Sequence, residues 1–93
     1  MSTVRREATI HNRLGLHARA AARFVTVASA YEAEVHVEYR GKRVNGKSIM
    51  GLMMLAAGNK AQITLEADGD DAEALLDALE ELVSSGFGEG VEA

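Results

Sequence analysis

The residues of this chain best suited to chemistry stand close together. They are His17 and Arg19, in the run Gly15-Leu16-His17-Ala18-Arg19, directly ahead of an alanine-rich, helix-forming stretch. Backbone N–H groups at the start of a helix have no partners within it and carry the positive end of its dipole. An anion placed there meets several donors at once. A phosphoryl group on the imidazole of His17 would put a dianion at that spot, and Arg19 can pair with it through two parallel hydrogen bonds. The chemistry implied is acceptance and donation of a phosphoryl group, with neither a metal nor a nucleotide held by the chain. The competing reading of His17 is an N-cap or a satisfied loop histidine, and five residues alone do not separate the two.

The elements that must position these residues can be read from the rest of the chain. Residues 4 to 10 put Val4, Arg6, Ala8 and Ile10 on one face, an imperfect strand alternation. His11 to Leu16 reads as a loop. From Ala18 to about Ser29, Ala21, Phe24, Val25 and Ala28 follow the spacing of a core-facing helix. Glu34 to Tyr39 alternates, with Val35, Val37 and Tyr39 inward and His36 and Glu38 outward. Arg40-Gly41 turns the chain into a short return strand, Lys42 to Val44. After the Asn45-Gly46 turn, Ser48 has the character of an N-cap for a short helix, Ile49 to about Leu55, ended by Gly58-Asn59. Ala61, Ile63, Leu65 and Ala67 alternate as a further strand. Asp70 or Asp71 then caps a last helix with Ala72, Leu75, Leu76, Leu79, Leu82 and Val83 inward, and Gly86 stops it. The order β-α-β-β-α-β-α predicts an α+β layer, one antiparallel sheet with helices on one face.

Composition sets the bounds. The 93 residues are expected to form a single domain, residues 1–93, and their 47% hydrophobic content suits a compact core. There is no cysteine, hence no disulfide, thiolate nucleophile or sulfur-ligated metal. The opening Met-Ser-Thr-Val-Arg-Arg-Glu lacks the apolar core of a signal peptide. The longest apolar run, residues 49 to 58, is half of the roughly twenty residues a membrane span needs. A cytoplasmic protein with no membrane contact is expected. The net charge of −4 is unevenly spread: all ten lysines and arginines lie at or before Lys60, against four acids, and ten acids follow with no base. The basic half suits an acidic protein partner. Nucleic acid fits less well, because 4% aromatic content leaves few stacking platforms and the total charge is negative.

Two segments, Leu14-Gly15-Leu16-His17-Ala18-Arg19 and Gly46-Lys47-Ser48-Ile49-Met50-Gly51-Leu52-Met53-Met54-Leu55, are correctly spaced and fall in the right elements. In them, and over about residues 3 to 88, the chain closely resembles the HPr family, the histidine-containing phosphocarriers of the bacterial phosphotransferase system. The resemblance implies an open-faced β-sandwich, a four-stranded antiparallel sheet under three helices. It implies that His17 is phosphorylated on Nδ1 by enzyme I, that Arg19 pairs with the phosphoryl group, and that an enzyme IIA receives it. It implies that Ser48 matches the serine modified, in some bacteria, by an HPr kinase/phosphorylase. One departure is Ala20, where many members carry proline. Proline is favoured in a first helical turn but not required there, so a stability effect and not lost activity is expected. The loop Asn12 to Gly15, the methionines of the second helix and the ending Ser85 to Glu89 point toward the nitrogen-related branch, with a regulatory enzyme IIA as acceptor.

Phosphoryl transfer asks for positioning and charge stabilisation more than covalent work from the protein. An exposed histidine with one arginine and a helix end meets that need and holds the group only moderately. The chain has no nucleotide loop and no carboxylate cluster for magnesium, so it is expected to be a phosphoryl-transfer intermediate and not a complete enzyme, with no cofactor and no metal. His11 and His36 read as structural. The second helix is apolar nearly all round. Leu52 and Leu55 read as core, while Ile49 and Met50 are expected to form an exposed docking patch rimmed by Arg23 and Lys47. The protein is expected to be a monomer. The alternative function is a regulatory interaction module whose phosphorylation state, at His17 or Ser48, controls binding without onward transfer.

Overall fold

The computed structural model describes residues 3–89. The elements follow the expected order: β1 (Thr3–Thr9), α1 (Ala18–Ala28), β2 (Glu34–Tyr39), β3 (Lys42–Asn45), α2 (Ile49–Met54), β4 (Gln62–Asp68) and α3 (Ala72–Ser84). The four strands form one antiparallel sheet in the order β1-β4-β2-β3. β4 lies between β1 and β2, so the two halves of the chain meet within the sheet. Arg6 faces Leu65 on one side, and Val37 faces Leu65 on the other.

The core is the inner face of the sheet against the helices. Val35, Val37, Ile63, Leu65 and Ala67 are buried, and so are Ala20, Ala21, Phe24 and Ala28 of α1, Leu52 of α2, and Ala72, Leu75, Leu76, Leu79 and Val83 of α3. Residues directly opposite in neighbouring strands share a face, so Val4, Arg6 and Ala8 point the same way as Ala67, Leu65 and Ile63. Arg6 is the residue that spoiled the alternation of β1. It lies on the helix side of an edge strand, where its guanidinium pairs with Glu73 at 2.8 Å, Glu80 at 3.0 Å and Asp77, all on α3. Part of the acidic half is thus neutralised from within the fold.

Several expectations shift. Val25 and Leu82 are half-buried, because α1 turns Ala20, Ala21 and Phe24 inward and α3 turns Leu79 and Val83. Tyr39 is half-buried at the end of β2, with Arg40 over its ring at 5.2 Å. Asp71 is the N-cap residue of α3, yet its carboxylate makes no cap. It instead accepts from the backbone N–H groups of Glu32 and Ala33, at 2.9 and 2.8 Å, and ties the α1–β2 connection to the start of α3. Those bonds hold its carboxyl below the ordinary range.

The end of α3 positions the site. Ser85 is the C-cap, and Gly86 follows with φ 72°. The Gly86 N–H donates to Val83 and the Phe87 N–H to Leu82, the paired bonds of a Schellman close. Phe87 also has a positive φ, 57°, and its ring is fully buried in the core. That burial fixes the direction in which the chain leaves α3, a strap of residues 86 to 89 running back toward α1. No helix of the described residues is long and apolar enough to cross a membrane.

Candidate functional site

His17 occupies the N-cap position of α1, with extended backbone (φ −77°, ψ −179°). Its carbonyl accepts the first helical bond, from Ala21 at 2.8 Å, and its N–H donates to Gly15 at 2.9 Å. The loop before it is locked to the segment after α2. The Leu16 N–H donates to Ala57 at 2.9 Å, and the Asn59 amide donates to the carbonyls of His11 and Asn12. Gly15 has φ 67°, and a Cβ there would lie 2.4 Å from the Ala57 carbonyl oxygen. Only glycine fits this approach.

The His17 ring makes no cap bond to its own helix. Its Nε2 lies 2.6 Å from Oε2 of Glu89, at the end of the strap. The other carboxylate oxygen of Glu89 accepts from Asn12 Nδ2 at 3.0 Å, and the same Nδ2 donates to the Gly15 carbonyl. Asn12 is fully buried. The strap is held further up by the Arg23 guanidinium, which donates to the Phe87 carbonyl. Burial pushes the Glu89 carboxyl up. Hydrogen bonds from Asn12 and His17, and the charge of Arg23, outweigh this and hold it below the ordinary carboxylate value. Glu89 is therefore charged at neutral pH.

An open cleft of about 550 Å³ lies beside the ring, lined by Arg13, Leu14, His17, Ala18, Arg19 and Glu89. Arg13 and Arg19 are exposed, and neither makes an ion pair among the described residues. The first-turn N–H groups of α1 open beside it, with no helical acceptors. The arrangement offers a nucleophilic ring, two guanidiniums and a helix end, all suited to an anion. The His17 side chain is less open than its sequence context implies, 26% exposed, because Glu89 covers one edge.

The sequence singled out His17 and Arg19, which line one cleft, but gave no sign that Glu89 and Asn12 reach the same place. Ser48 caps α2, its hydroxyl accepting from the Gly51 N–H at 3.0 Å. Ile49 and Met50 are 42% and 71% exposed, and Met53, Met54 and Leu14 are exposed as well, so the apolar surface is wider than expected. Leu52 and Leu55 are buried as expected. α2 packs beside α1. The two residues expected to rim the patch have partners of their own: Arg23 turns to the strap, and Lys47 donates through Nζ to the Tyr31 carbonyl at 2.8 Å.

The chain is similar to known proteins in sequence and fold. The family model for the PTS HPr component phosphorylation site matches residues 4–85. The phosphocarrier protein HPr of Cupriavidus necator is 47% identical over 87 residues, 94% of this chain and 98% of that protein. The phosphocarrier protein NPr of Shewanella violacea is 43% identical over 89 residues, 96% of this chain and 98% of that one. The crystal structure of HPr-C-His from Thermoanaerobacter tengcongensis superposes with a TM-score of 0.86 at 45% identity, covering 98% of this chain and all of that one.

Proposed function

The chain belongs to the HPr family and is a phosphocarrier of the phosphotransferase system, and from that premise we propose that His17 is the residue that carries the phosphoryl group. Phospho-enzyme I donates it, and an enzyme IIA receives it. The observation that carries this reading is the position of His17 at the start of α1, in a cleft that also holds Arg13 and Arg19. A ring nitrogen attacks phosphorus while the bond to the donor breaks. The incoming dianion then lies against the first-turn N–H groups of α1 and within the range of Arg19. Arg19 is exposed, so its pull is screened by solvent and the phosphoryl group remains transferable.

The surface formed by Ile49 and Met50, continued by Met53, Met54 and Leu14, docks enzyme I and the enzyme IIA in turn. Methionines suit a surface that must fit more than one partner. Arg23 and Lys47, expected as its rim, are instead held at the Phe87 and Tyr31 carbonyls. Ser48 lies beside it, where phosphorylation by an HPr kinase/phosphorylase would set a charge against the docking surface without unfolding the helix it caps. The Asn12–Gly15 loop, the α2 methionines and the Ser85–Glu89 ending support a nitrogen-related acceptor, and a cytoplasmic monomer suits a carrier that shuttles between partners. The test is phosphoryl uptake from enzyme I and phosphoenolpyruvate. Wild type takes up phosphate, and His17→Ala takes up none while keeping its circular dichroism spectrum. Normal uptake by the variant would overturn the assignment.

A further inference from the structure

The contact between His17 and Glu89 joins two groups 72 residues apart, through a strap that the fold holds at three points. Phe87 is buried, its carbonyl takes a bond from Arg23, and the Glu89 carboxylate takes one from the buried amide of Asn12. A surface carboxylate meeting a histidine by chance needs none of this. We propose that Glu89 is a positioning residue for phosphoryl transfer at His17, holding the ring proton on Nε2 throughout the cycle so that Nδ1 alone exchanges the phosphoryl group. This deepens the reading of His17 as the carrier and rests on it.

The chemistry follows from what a carboxylate can do. An ionised carboxylate only accepts hydrogen bonds. Facing Nε2 at 2.6 Å, it fixes the tautomer with the proton on Nε2 and the lone pair on Nδ1. In uptake, the Nδ1 lone pair forms the N–P bond, and the donor's bond to phosphorus breaks with its electron pair returning to the donor. The ring keeps its Nε2 proton and gains a positive charge, which lies against the negative charge of Glu89. In onward transfer the Nδ1–P bond breaks, its pair returns to Nδ1, and the ring is again neutral with its proton on Nε2. Neither step requires a proton to enter or leave. Without the carboxylate charge, the phosphorylated ring would lose its Nε2 proton more readily, and the group left behind in onward transfer would be a poorer leaving group. The other charged groups facing this ring are Arg19 from α1 and Arg13 from the β1–α1 loop, both of which act against the ring's positive charge. Arg23 lies behind Glu89 and acts on it. Glu89 is therefore the one anion at the ring among the described residues of the cleft.

Glu89→Gln keeps the size and the acceptor oxygen but removes the charge. Wild type and variant are phosphorylated with enzyme I and phosphoenolpyruvate and then isolated. Spontaneous loss of phosphate is followed from mild acid to mild alkali with no partner present, so docking plays no part. Loss is expected to match in acid. In alkali the fall-off of the variant should begin about one pH unit lower, roughly a tenfold difference in the protonated fraction. Glu89→Asp should move the curve back toward wild type, and melting temperatures should differ by only a few degrees. Superimposable pH curves, or a uniform change at every pH, would overturn the role of Glu89. If wild type carries no phosphate on His17, it is the carrier reading that fails and not this one.

Discussion

Phe87 is the anchor of the strap, and replacing it tests that geometry quantitatively. Its ring is fully buried and its backbone sits at φ 57°. Phe87→Ala deletes a buried ring, which costs about 3–5 kcal/mol. It also leaves a Cβ in the left-handed region, a cost of about 1–2 kcal/mol that glycine does not bear. Phe87→Gly should therefore be more stable than Phe87→Ala by about 1 kcal/mol. The usual order is the reverse, with glycine below alanine by roughly 0.5–1 kcal/mol inside regular structure. At about 0.05–0.15 kcal/mol per residue, a chain of this length has roughly 5–14 kcal/mol to lose, so both variants should fold with clearly lowered midpoints. Urea unfolding followed by circular dichroism gives the two values. An alanine variant as stable as the glycine variant, or a loss below about 1 kcal/mol in either, would refute the reasoning.

The remaining predictions concern the loop, the patch, the cap and the acid limb of stability. Gly15→Ala should cost more than Gly41→Ala and also lower phosphoryl uptake, since a Cβ at Gly15 meets the Ala57 backbone while one at Gly41 meets nothing; equal losses of about 1–2 kcal/mol would show that only the positive φ matters. Met50→Asp should weaken binding to enzyme I with little change in melting temperature, and a large fall in melting temperature would make Met50 part of the core. Ser48→Asp should fold at least as stably as wild type, since its side chain still caps α2, but should raise the Michaelis constant of enzyme I; an unchanged constant would leave Ser48 a cap alone. The Asp71 carboxyl is lowered by the Glu32 and Ala33 N–H groups, so its contribution is fully present above its ordinary value of 3.8 and is lost as pH falls through the lower folded value. Asp71→Asn should make acid unfolding below that pH less steep, and an identical acid limb would contradict the tie.

The elements were legible because their side chains obey simple periods. The alternation in Val35–Val37 and in Ile63–Leu65–Ala67, and the helical spacing from Ala72 to Val83, each face one continuous core. Arg6 broke the pattern because pairing with three acids on α3 makes an inward arginine tolerable, and no local pattern reveals partners some seventy residues away. Asp71 looked like a cap because its type and position fit, but two backbone donors on another segment competed for it and won. The site was half legible. His17 and Arg19 announce themselves by lying at the start of one helix. Glu89 does not, because its place depends on the Schellman close at Gly86, on the burial of Phe87 and on a buried Asn12, each of which is a tertiary fact. The one local signal was a phenylalanine flanked by Gly86 and Gly88, which marks a sharp turn pinned by an apolar anchor.

The central claim is that a phosphoryl group stops at His17 and moves on. The most direct measurement isolates the protein after reaction with enzyme I and phosphoenolpyruvate, maps the phosphate by mass, and adds an enzyme IIA. One acid-labile phosphate on His17, passing to the enzyme IIA, is the expected result. An acid-stable phosphate, or one that stays on this chain while only the affinity for the partner changes, would contradict the account.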